Sequence, residues 1–152
     1  MNWTLEVVHV PVADVDRALD FYVGKLGFVV DHDTTAGPVR FAQLTPPGSG
    51  CSIVIGMSEM APGSLQGTQL VVNDVRKARA ILAERGLDVG EVQYAGREGG
   101  FRPATDDDDL NNSGFLFLAD PDGNTWAVQQ LLVRGEKPLI PVEHRGRFGA
   151  ES

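Results

Sequence analysis

The chain repeats itself. His9 and Gln69 stand 60 residues apart, and at that offset Val12 matches Val72, Asp14 matches Asp74, Val15 matches Val75 and Ala18 matches Ala78. With one deletion, Gly27 then matches Gly86. An internal repeat constrains a fold before local propensities do, because one supersecondary unit has to be built twice and each copy has to bury its apolar side.

The repeated unit is legible from its pattern. Thr4 to Val12 is a β-branched run and reads as a strand; Asp14 then caps a helix in which Val15, Ala18, Leu19, Tyr22 and Leu26 recur at helical spacing up to Gly27. Strands are expected over 28–34, 39–45 and 51–57, separated by AGP and PPGSG. SEMAPGSLQG has no periodicity and reads as a joint. The order then restarts with a strand over 68–72, the cap Asp74 and a helix carrying Val75, Ala78, Ile81 and Leu82 on one face, closed by Gly86. A strand over 88–94, a long irregular stretch, and the strands SGFLFLAD and TWAVQQLLV complete it. Each copy is βαβββ, and Trp126, which alternates with Ala127, should face the helix side.

Composition bounds what such a chain can do. At 152 residues it holds one domain's worth of core, and 18 glycines with 9 prolines call for many turns and short elements. A formal charge of -8 disfavours phosphate backbones and anionic lipid as partners. The N-terminal stretch has no basic n-region and reads as a first strand, and no run approaches the roughly 18 apolar residues of a membrane span. The single cysteine, Cys51, excludes an intrachain disulfide and a multi-cysteine zinc site, fits a reducing cytoplasm, and lacks an accompanying base. The aspartates at 106–109 read as a solvated loop whose spacing lacks the alternation of a calcium cage. The expected organisation is one domain over 1–133, made of modules 4–57 and 67–133 with a linker at 58–66, followed by an extension at 134–152. A loose tail and a clasp on a neighbouring subunit are both open for that extension.

HVPVADVDRALDFYVGKLGF at the start of the first copy and DPDGNTWAVQQ at the end of the second resemble the vicinal oxygen chelate superfamily, the glyoxalase/bleomycin-resistance/dioxygenase proteins. DPDGN is the most specific piece, a turn before the last strand in which Gly123 is free to take positive φ. CSIVIG, PGSLQGTQLVVNDV and ERGLDVGEV look like an actinobacterial glyoxalase-like branch. The resemblance implies an α+β fold in which the two modules pair into a curled mixed sheet around a central cleft. It also implies a divalent metal in that cleft, with ligands from the first and fourth strands of each half.

Carried onto this chain, those ligand positions are His9, Val54, Gln69 and Ala127. Metal-binding members have a carboxylate or histidine where Val54 stands and a glutamate where Ala127 stands. One imidazole and one amide opposite two hydrocarbon side chains lack the ligand count and charge a divalent ion needs. No cofactor is therefore expected, with weak divalent binding at His9 and Gln69 as the residual alternative. Gln129 shares Ala127's face and, with His9, Phe41, Val54, Gln69 and Ala127, is expected to line the ligand cleft.

Two functions stay open beside an interaction-only or structural role. One is binding of a small organic molecule without turnover, as in the bleomycin-resistance type. The other is a glyoxalase-like lyase or isomerase acting on a carbonyl compound, with His9 as base or with a metal at the degenerate site. Neither involves nucleic acid or a membrane. A homodimer, with a swap hinging at the linker, is compatible with both.

Overall fold

The computed structural model describes residues 1 and 3–133, so the extension at 134–152 lies outside the described residues. Along the chain the elements are β1 (Val7–Val10), α1 (Val15–Tyr22), β2 (Val29–Ala36), β3 (Val39–Thr45), β4 (Ser52–Ile55), β5 (Thr68–Val72), α2 (Val75–Glu84), β6 (Gln93–Ala95), β7 (Phe101–Pro103), β8 (Gly114–Ala119) and β9 (Thr125–Gln130). They fall into two units. One holds residues 1–65 together with Asp120–Asn124; the other holds Gln66–Ala119 and the strand that starts at Thr125.

The first unit carries a mixed sheet in the order β1-β4-β3-β2, with β1 parallel to β4 and the other pairs antiparallel. Alternation sorts its side chains. Val10, Ala42, Leu44, Ile53 and Ile55 are buried with Ala18, Phe21 and Tyr22 of α1, which packs on β3. Asp14 Oδ1 accepts from Arg17 N at 3.0 Å, the expected N-cap. The helix stops at Tyr22 rather than reaching Leu26, and the amides of Lys25 and Leu26 both donate to Phe21 O in a widened turn that ends at Gly27, φ 79°. Gly24 lies in this stretch and weakens it as helix.

The second unit repeats the plan with one addition. Its sheet runs β5-β9-β8-β6-β7, again with a parallel outer pair, β5 and β9. Asp74 caps α2 through Lys77 N at 2.9 Å. Leu116, Leu118, Val128 and Trp126 are buried with Val75 and Leu82 of α2, which contacts β8 and β9; Trp126 is on the helix side, as alternation required. The strand expected over 88–94 is only Gln93–Ala95, since Asp88 and Gly90 make its first half a poor strand, although Val92 O still accepts from Ala104 N at 2.8 Å. The stretch read as irregular contains β7, joined to β6 through a turn in which Gly99 and Gly100 take positive φ. The second copy is thus βαββββ. Among the described residues no helix is long and apolar enough to cross a membrane.

Candidate functional site

The DPDGN segment is structural. Asp120 and Asn124 are buried, and Asp120 accepts from the Tyr22 hydroxyl at 2.7 Å and from the amides of Asp122 and Asn124, each at 2.9 Å. Asn124 Nδ2 donates to Pro11 O and to Asp120 Oδ2, both at 2.8 Å, while its Oδ1 accepts from Leu65 N at 3.0 Å. Asp122 pairs with Arg17 at 2.7 Å. These bonds use the buried polar groups to fix a turn, which is what makes the motif specific.

The face of the first sheet turned away from α1 carries the first candidate site. Register aligns His9 of β1 with Val54 of β4, Val54 with Gln43 of β3, and Gln43 with His32 of β2, so one row crosses all four strands. His9 is exposed, Val54 is buried, and Phe41, two residues before Gln43, stands edge-on to His32 with ring centroids 5.9 Å apart. Gln43 is only 8% exposed, yet its buried Nε2 has no hydrogen-bond partner among the described residues. Beside this row Thr45 Oγ1 donates to Asp31, so in its 2.6 Å contact with Ser52 the serine is the donor. A buried polar seam therefore runs along the same face.

The corresponding face of the second sheet is different in character. Gln69 aligns with Ala127, as His9 does with Val54, so the repeat places both pairs in equivalent register. Gln69 Nε2 donates to Gln129 Oε1 at 2.6 Å, and Gln129 Nε2 donates to Asn112 O at 2.8 Å. Phe117 aligns with Ala127 and Phe115 with Gln129. Together with Phe101 they form an aromatic cluster with centroid separations of 5.0 to 6.0 Å, in which Phe101 is 54% and Phe117 43% exposed.

Sequence reasoning named His9, Phe41, Val54, Gln69, Ala127 and Gln129. The first three lie on the face of the first sheet turned away from α1 and the last three on the corresponding face of the second. It missed Gln43 and the phenylalanine cluster. Gln43 was within reach, since alternation puts it on the face of Phe41; Phe101 was not, since the hairpin that carries it has no apolar period.

At the four positions to which the resemblance assigns metal ligands, Val54 and Ala127 carry no donor atom. The imidazole of His9 and the amide of Gln69 do not make a ligand set for a divalent ion. Among the described residues no group of three or more His, Cys, Asp or Glu side chains could hold one. The acidic run is organised otherwise: Arg102 grips Asp108 with two bonds of 2.8 Å while lying over the Tyr94 ring at 4.5 Å, and Thr105 donates to Asp108 from its amide at 2.7 Å. The guanidinium, and then the Thr105 amide, hold the Asp108 carboxyl well below its usual range. Asp109 accepts from Asn111 N at 3.0 Å.

With this geometry the chain belongs to the Glyoxalase/Bleomycin resistance protein/Dioxygenase superfamily, whose family model matches residues 4–128. Among solved structures it is similar to TnmS3, an antibiotic binding protein from Streptomyces sp. CB03234, at 30% identity and TM-score 0.64, covering 86% of this chain and 97% of that one. It is also similar to a glyoxalase/bleomycin resistance protein from the same organism, at 31% identity and TM-score 0.61 over 84% of this chain and 100% of that one. A superfamily member from Sphaerobacter thermophilus DSM 20745 matches at 27% identity and TM-score 0.66, covering 85% and 98%. A search of curated proteins returns no match.

Proposed function

We propose that the chain binds a small organic molecule against the face of its first sheet turned away from α1, without a metal and without converting it. The observation that carries this reading is Gln43: a side chain 8% exposed whose amide nitrogen has no partner among the described residues. A buried donor left unmade costs about 1–3 kcal/mol, which a carbonyl or ether oxygen of a ligand would offset. Neighbouring Phe41 and Val54 supply apolar contact. The description of TnmS3 as an antibiotic binding protein supports the same class of ligand. A cytoplasmic setting suits the lone thiol, Cys51.

The test is incubation with a panel of aromatic and glycosylated antibiotics, read by calorimetry for binding and by chromatography for chemical change. Saturable binding with the compound recovered intact is expected. A product released with turnover would overturn the reading in favour of a lyase or isomerase with His9 as base.

A further inference from the structure

A second site lies in the second unit, on surface that the proposed ligand binding does not use. A cleft of about 310 Å³ is lined by Arg76 and Arg79 of α2 and by Glu91, Val92 and Ala104. The i, i+3 spacing brings the two arginines to one side of the helix. Arg76 Nη2 donates to Thr105 O and Arg79 Nε to Gly90 O, each at 2.7 Å, and the Ala104 N to Val92 O bond of 2.8 Å ties the two flanking segments together.

What distinguishes these arginines is the kind of partner they have. Arg17, Arg40 and Arg102 each meet an aspartate in an ion pair of 2.7 to 2.8 Å. Arg76 and Arg79 are held by neutral carbonyls, and none of the ion pairs among the described residues involves them or Glu91. A carbonyl orients a guanidinium but leaves its charge uncancelled. Each of the two has five N–H donors, of which the carbonyl engages one. In a chain with 21 acidic and 13 basic residues, two oriented and uncompensated guanidiniums in one cleft are the opposite of what overall charge provides.

We propose that this cleft binds an oxyanion, a carboxylate or phosphate group on a small molecule, through Arg76 and Arg79. The guanidinium fork matches both groups, and its pre-orientation lowers the entropy lost on binding. Val92 and Ala104 give the attached molecule a short apolar wall. Glu91, the carboxylate in the lining, opposes an anion and sets the affinity.

The experiment is an NMR titration of 15N-labelled full-length protein at constant ionic strength, with inorganic phosphate in one arm and acetate in the other. Saturable shifts of the Arg76 and Arg79 Nε–H signals and of the Gly90 and Glu91 amides are expected in at least one arm. Saturation by both anions assigns a general oxyanion site, and by phosphate alone a site for the more highly charged group. Arg76→Gln with Arg79→Gln should weaken binding at least tenfold, and Glu91→Gln should tighten it about threefold. Glu91→Gln leaves both carbonyl anchors in place, so it remains informative if the double variant melts early. Shifts that rise linearly in both arms, or an affinity unchanged by the substitutions in folded protein, would overturn the proposal.

Discussion

The Tyr22 hydroxyl donates to Asp120 Oδ2 at 2.7 Å across 98 residues of sequence, and both side chains are buried. This bond joins the last residue of α1 to the first residue of the turn that precedes β9. It gives the DPDGN segment a structural reason to keep its aspartate: the carboxylate collects a hydroxyl, two backbone amides and the Asn124 amide. Tyr22→Phe keeps the ring and removes one donor from a buried carboxylate. A loss of about 1–3 kcal/mol is expected, at about 2–4 °C of Tm per kcal/mol for a chain this size, measured by thermal melting.

Gly63 belongs to the same arrangement. Its φ is +81°, and a Cβ there would lie 2.0 Å from Asp122 O. Gly63→Ala combines a left-handed backbone with a backbone clash, so it should cost more than about 1 kcal/mol. Chemical denaturation checks this; a midpoint equal to that of the parent would contradict the geometry.

Asp108 predicts a pH dependence confined to one loop. Its carboxyl is held below the ordinary 3.8 by Arg102 and Thr105. A depressed folded value means that the unfolded loop takes up the proton first as pH falls. The ordering it provides is therefore complete above about pH 4 and lost as pH drops through the lower folded value. Slow exchange of the Thr105 amide should vanish over that acid range in the parent and be absent at neutral pH in Asp108→Asn.

Metal should make no difference. With Val54 and Ala127 at two of the four positions, dialysis against chelator should leave Tm and ligand binding unchanged, and added Zn or Ni should not raise Tm. A real site at a hundredfold excess over Kd would add about 2.7 kcal/mol. A stoichiometric rise in Tm lost in His9→Ala would contradict the account.

The repeat, the caps at Asp14 and Asp74, the helix-side burial of Trp126 and the equivalence of His9 and Gln69 were all legible in the sequence, because each rests on a local period or spacing. The β6–β7 hairpin was not. Its strands are three residues each and its turn is built from glycines, so no alternation marks it. The role of Asp120 depends on a partner 98 residues away and that of Arg102 on its own place in the unrecognised β7, and apolar patterning carries no signal for either. For Gln43, alternation from Phe41 gives the face but not the burial: a glutamine in a strand reads as an exposed polar position, and only register and burial reveal an amide enclosed beside Val54 and His32.

Gln43→Leu tests the central claim most directly. Replacing an amide that has a buried, unpartnered nitrogen by a similar-sized hydrocarbon removes a desolvation cost, so the free protein should melt at the same temperature or higher. If the amide anchors the ligand, calorimetric titration with the tightest compound from the antibiotic panel should show affinity reduced by about tenfold, the equivalent of about 1.4 kcal/mol. Unchanged affinity in a folded Gln43→Leu protein would contradict the account.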